Sequence, residues 1–227
     1  KYIELNEDDG SETISAIINQ PDIFGMTALH FAVENSKEHL VQLLINHGAN
    51  INSTDSDGCT PLHYASKAGS VDIFTLLLEH GAQLKKKSKN GWNLLHFAAF
   101  SSSSLMIEKI MEVVSINPNA PDRFNRIPLH YACETGSINV VSSLLQLGSH
   151  LSHQDIDGRA PIHFAAMSGN ESLVKLLVKS GSPIYINDFS DQNPLHLACS
   201  SGSVNTVRFL CNRYKKLMNQ EKNIKIN

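Results

Sequence analysis

Apolar residues in this chain come in short groups at helical spacing, separated by small and polar positions. Phe74, Leu77 and Leu78 follow an i, i+3, i+4 pattern, which predicts an amphipathic helix. A shorter helix before it runs through Ala65 and Ala68 and breaks at Gly69. Thr60 suits its N-cap and Pro61 its first helical position, where a missing amide hydrogen costs nothing. His63 falls at the third helical position, from which a side chain can reach back to the cap as Glu or Gln does in a capping box. His80-Gly81 closes the second helix, with glycine in the left-handed conformation that ends helices. Upstream, Asp55-Ser56-Asp57-Gly58 reads as a turn.

The grouping recurs. Thr27-Ala28-Leu29-His30 returns as Thr60-Pro61-Leu62-His63, then as Asn93-Leu94-Leu95-His96, Ile127-Pro128-Leu129-His130, Ala160-Pro161-Ile162-His163 and Asn193-Pro194-Leu195-His196. The histidines step by 33 residues, with one step of 34. A fixed period of this size means stacked units, because a turn and two short helices cannot bury their apolar faces alone. Phe31, Tyr64, Phe97, Tyr131, Phe164 and Leu197 follow the histidines in register and are expected to pack between units.

The unit resembles the ankyrin repeat over roughly residues 20–214. That resemblance implies an all-α solenoid of helix-turn-helix units with hairpin-like fingers. It places six repeats at about 21–53, 54–86, 87–120, 121–153, 154–186 and 187–214. Residues 1–20, with an amphipathic stretch at 11–19, form a cap or partial repeat; 215–227 close the stack or begin another unit. Carried over residue by residue, Asp22, Asp55, Asp122, Asp155 and Asp188 match the finger aspartate. Gly25, Gly58, Gly91 and Gly158 match the turn glycine, and the six histidines match the structural histidine.

The third copy departs from the pattern. Ser102 stands where Gly69 stands in the second, Val114 replaces the helix-ending glycine, and the extra residue falls between Glu112 and Pro121. The helix end and its connection are expected to be rebuilt there. Ile127 and Ala160 lose the cap side chain, an expected cost of about 0.5–2 kcal/mol each. Asn125 and Asp191 replace turn glycines, a position both tolerate. Tyr214 replaces the last terminal glycine.

Charge and composition narrow the function. A net charge of −3 and a pI near 6.4 argue against a nucleic-acid module. The start is acidic (Glu4, Glu7, Asp8, Asp9, Glu12) and the end basic (Arg208, Arg213, Lys215, Lys216, Lys222, Lys225). Cys59, Cys133, Cys199 and Cys211 form no close pair, which fits a reducing compartment: the cytoplasm, with the nucleus as second choice. No run approaches ~20 apolar residues, so no membrane insertion is expected of this segment. No catalytic motif or phosphate loop is present, and no cofactor is expected. Repeats about 10 Å apart cannot share zinc through their histidines, since zinc–nitrogen bonds are about 2 Å.

Recognition is the expected function: a non-catalytic scaffold for a partner protein or peptide, read as a monomeric segment of a longer chain. The resemblance implies that finger tips and inner helix faces make the contacts. Trp92, Phe100, Phe124 and Met167, among Lys89, Arg123, Arg126 and Arg159, form the candidate site, because aromatics and arginine dominate binding hot spots. That set predicts a partner with acidic and apolar character. The alternatives are a regulatory or targeting domain of a larger enzyme or membrane channel, and polyphosphate binding by Lys85, Lys86, Lys87 and Lys89.

Overall fold

The computed structural model describes residues 14–224, with side chains through 219. The chain divides into two compact units, Lys1–Ile116 and Asn117–Asn227. In the first, a helix over 14–18 precedes α1 (Ala28–Glu34), α2 (Glu38–Asn46), α3 (Pro61–Ala68), α4 (Val71–Glu79), α5 (Leu94–Ala98) and α6 (Ser104–Val113). The second holds α7 (Pro128–Thr135), α8 (Ile138–Gln146), α9 (Pro161–Met167), α10 (Glu171–Lys179), α11 (Pro194–Ser200) and α12 (Val204–Ile224). Among the described residues no strand occurs. Residues 11–13 of the expected first helix, and the acidic start, lie outside the described residues.

Each unit is two rows of helices. Inner helices α1, α3 and α5 pack side by side, with α2, α4 and α6 as the outer row; α7, α9, α11 and α8, α10, α12 repeat the scheme. The inner row closes on alanine: Ala32, Ala65, Ala98, Ala132, Ala165 and Ala198 recur at one register and are buried. A small side chain there lets neighbouring helices approach closely. Leu29, Leu62, Leu95, Leu129 and Ile162, one residue before the first five repeat histidines, are buried in the core, and Leu195 before the sixth is half-buried.

The third copy is rebuilt where its sequence slips. Without a glycine, α5 stops after five residues, and the break is tied by serine hydroxyls. Ser101 Oγ donates to the Ala98 carbonyl at 2.7 Å, and Ser103 Oγ accepts from the Met106 amide at 3.3 Å. Outer helices α2, α4, α8 and α10 end at left-handed Gly48, Gly81, Gly148 and Gly181. By contrast, Val114 leaves α6 in extended conformation, φ −149° and ψ 133°. The boundary between the two compact units falls just after it.

Both ends carry their own devices. Asn19 donates to the Gly48 carbonyl and accepts from the Asn50 amide, as Asn52 does with Gly81 and Gln83. In the second unit Asn119 does the same with Gly148 and His150. Asn19 therefore stands in the register that Asn52 holds in the next connection. At the last interface Tyr185 and Tyr214 replace this amide clamp, their rings 4.9 Å apart, with Tyr214 donating to the Ile184 carbonyl at 2.6 Å. Helix α12 runs unbroken through 214, where the sequence suggested the repeat would end.

Candidate recognition surface

The histidines belong to the scaffold. His30, His63, His96, His130 and His163 are fully buried, whereas His196 is exposed. Each ring Nδ1 accepts from the backbone amide three residues earlier, at 3.1 Å for His30 and 2.9 Å for His63. The hydroxyls of Thr27 and Thr60 lie 3.0 Å from the same nitrogens. An Nδ1 that accepts leaves the proton on Nε2. That nitrogen reaches the next finger: Cys59 for His30, Lys86 for His63, His153 and Arg159 for His130, Ile186 and Gln192 for His163. Burial pushes the His63 and His130 pKa values down to about 4 and lowers those of His30 and His163 as well.

This also revises the cost of losing a cap. At Ile127 and Ala160 the imidazole half of the capping arrangement survives, the amides donating to His130 and His163 at 3.1 and 3.0 Å. Both cap residues are buried, so apolar burial offsets the missing acceptor. Asn93 and Asn193 cap fully, each accepting from two amides.

Five fingers are folded around an aspartate. Asp22, Asp55, Asp122, Asp155 and Asp188 each accept from the amides two and four residues on. In the third finger Ser88 substitutes, its hydroxyl accepting from the Trp92 amide. Adjacent fingers are joined by single backbone bonds: Ser56 to Phe24 and Lys89 to Asp57 in the first unit, Ile156 to Phe124 and Phe189 to Asp157 in the second.

The structure places the candidate residues in two groups, one per unit. In the first, Trp92 is half-buried. Its ring stacks on Phe100 at 5.3 Å and meets the edge of Phe97 at 5.3 Å. Beside it opens a slot of about 220 Å³ lined by Tyr64, Cys59, Asp57, Lys67 and Phe97 as well as Trp92. Lys89 is exposed on the adjoining finger.

In the second unit Arg123, Phe124 and Met167 are exposed. Ile156 and Phe189 extend the apolar finger tips, Phe189 being 77% exposed. Arg126 and Arg159 have work inside the fold. Arg126 Nε donates to the buried Asp155 carboxylate at 2.9 Å, with its guanidinium 4.7 Å from the Phe164 ring centre. Arg159 lies 3.6 Å from Asp188 and 3.4 Å from Asp157. Each arginine thus ties its finger to the next. The position four residues before the histidine is buried or half-buried in all six copies. The sequence signal for this tie was an arginine 29 residues before a finger aspartate.

The residues that follow the histidines are mostly core: the aromatics Phe97, Tyr131 and Phe164 are buried, as is Leu197. Phe31 is 45% exposed, since no full repeat precedes it among the described residues. Tyr64 and Tyr131 donate to the finger carboxylates of Asp55 and Asp122.

Chemical options are limited. Burial, with Asp55 and Asp57 adding to it, pushes the Cys59 thiol up to about 12; burial alone raises Cys133. Neither is a thiolate near neutral pH, so neither is a ready nucleophile. Among the described residues no group of three or more His, Cys, Asp or Glu is placed to hold a metal ion. No described helix is long and apolar enough to cross a membrane.

Comparison with known proteins agrees with this architecture. A family model described as ankyrin repeats (3 copies) matches residues 6–88, 81–155 and 147–225. No individual curated protein matches the chain. With its whole described length covered by that match, and with its fingers and buried histidines in place, the chain belongs to the ankyrin-repeat family, whose repeats generally serve as protein–protein interaction modules.

Proposed function

We propose that this chain is a non-catalytic recognition scaffold, gripping a partner protein or peptide by its fingers and inner helices. The partner offers apolar side chains with acidic neighbours. The slot beside Trp92 carries the reading: it is concave, aromatic-walled and large enough for one side chain. Exposed Lys89 gives the first unit its rim charge. In the second unit Arg123 stands beside exposed Phe124. A preformed surface of this kind loses little conformational freedom on binding.

The test starts from the full chain as bait and measures Kd for the protein it retains. Trp92→Ala and, separately, Lys89→Glu with Arg123→Glu are compared with wild type. The charged positions are exposed, so their reversal spares the fold. Arg126 is unsuitable, since replacing it would strand Asp155. At least tenfold weaker binding is expected from each variant. A loss under threefold (about 0.65 kcal/mol) in both sinks the assignment.

A further inference from the structure

Outer helices α10 and α12 leave a groove of about 550 Å³ between them. Val178 and Phe209 supply its apolar surface. Lys175 and Lys179 line the α10 side, and Arg213 and Lys216 the α12 side. Phe209, Arg213 and Lys216 stand at i, i+4 and i+7, so α12 turns all three to one face.

Among the described residues one carboxylate answers this charge. Glu171 pairs with Lys175 at 2.8 Å, and the same ammonium lies 5.7 Å from the Phe209 ring centre. Among the described residues, Lys179, Arg213 and Lys216 form no ion pair. Exposed Arg208 and Lys215 add to the field of α12. This basic patch sits on a chain whose net charge is −3. A bare phosphate would answer the cations and leave Phe209 uncovered. An acidic segment with apolar side chains answers both.

The chain carries such a segment. Tyr2-Ile3-Glu4-Leu5-Asn6-Glu7-Asp8-Asp9, continued to Glu12, sets five carboxylates among Tyr2, Ile3 and Leu5. We propose that the α10/α12 groove docks residues 2–12 of a second copy of this chain. The contact joins two different surfaces, so each copy keeps one of them unused, and assembly grows with concentration. The groove lies on the outer helices, apart from the finger and inner-helix surface proposed for the partner.

Sedimentation velocity of the full chain, over a concentration series at low and at high salt, tests this. The expected result is concentration-dependent growth at low salt that falls back toward monomer at high salt, where exposed charges are screened. Arg213→Glu with Lys216→Glu, both exposed, weakens association at least tenfold while circular dichroism is unchanged. Glu7→Lys with Asp8→Lys does the same. Mixing the two reversed chains restores association, and Lys89→Glu with Arg123→Glu leaves it untouched. A chain that stays monomeric throughout at low salt overturns the proposal. So does association indifferent to both reversals, or reversed chains that fail to rescue one another.

Discussion

Acid should unfold this protein through its buried histidines, and the effect can be sized at His63. Its Nδ1 accepts the Thr60 amide at 2.9 Å, and its Nε2 is 3.0 Å from the Lys86 carbonyl. Protonating Nδ1 would set two donors against each other in a site with no solvent access. Burial accordingly takes the pKa from 6.5 down to about 4. Between those values the unfolded chain binds more protons than the folded one, so lowering the pH favours unfolding. Above pH 6.5 both states are neutral and the contribution is fully present; it is lost progressively as the pH falls through the folded value. Linkage puts the loss at about 2 kcal/mol by pH 5 and about 3 kcal/mol once the folded value is passed. Trp92 is the sole tryptophan and lies in the same unit, so its fluorescence reads that unit directly. Urea unfolding at pH 7, 6 and 5 should show wild-type stability falling throughout. His63→Gln keeps a group able to reach the cap but does not titrate. It should be less stable at pH 7, yet lose about 2 kcal/mol less than wild type between pH 7 and 5. An identical pH slope in both proteins would refute the reasoning.

Three further outcomes concern the scaffold. Arg126→Ala strands the buried Asp155 carboxylate and should destabilise the second unit by about 3 kcal/mol in thermal or urea unfolding. A Cβ on Gly158, at φ +78°, would lie 2.8 Å from the Phe189 backbone nitrogen, whereas one on Gly181, at φ +96°, meets nothing within 4 Å. Gly158→Ala should therefore cost about 2–4 kcal/mol and Gly181→Ala only about 1–2 kcal/mol, separable by urea midpoint. Asp191 is exposed at φ 56°, so Asp191→Gly should raise stability by roughly 0.5 kcal/mol, read as a small upward shift in Tm.

The parts of this fold that repeat were legible as sequence, because their physics is local. His63 at the third helical position already implied a bond back to Thr60, and Gly81 already implied a left-handed helix end. What His63 Nε2 touches was not legible, since Lys86 meets it only after the next finger has stacked. Arg126 was read as a recognition residue for the same reason. Its spacing to Asp155 has meaning only once adjacent fingers are joined by the Ile156–Phe124 backbone bond. Trp92 fared between the two: the sequence put it in one candidate set with Phe100, but the slot needs Tyr64 and Cys59 from the preceding repeat. The α10/α12 groove left no motif at all, because its halves lie on separate outer helices.

The central claim is that the repeating residues build the scaffold while the surface around Trp92 recognises a partner. Calorimetric titration of the retained partner into wild-type and Trp92→Ala chains tests it most directly, once matching circular dichroism shows both folded. Kd at least tenfold weaker for the variant is the predicted result. An affinity within threefold of wild type would contradict it.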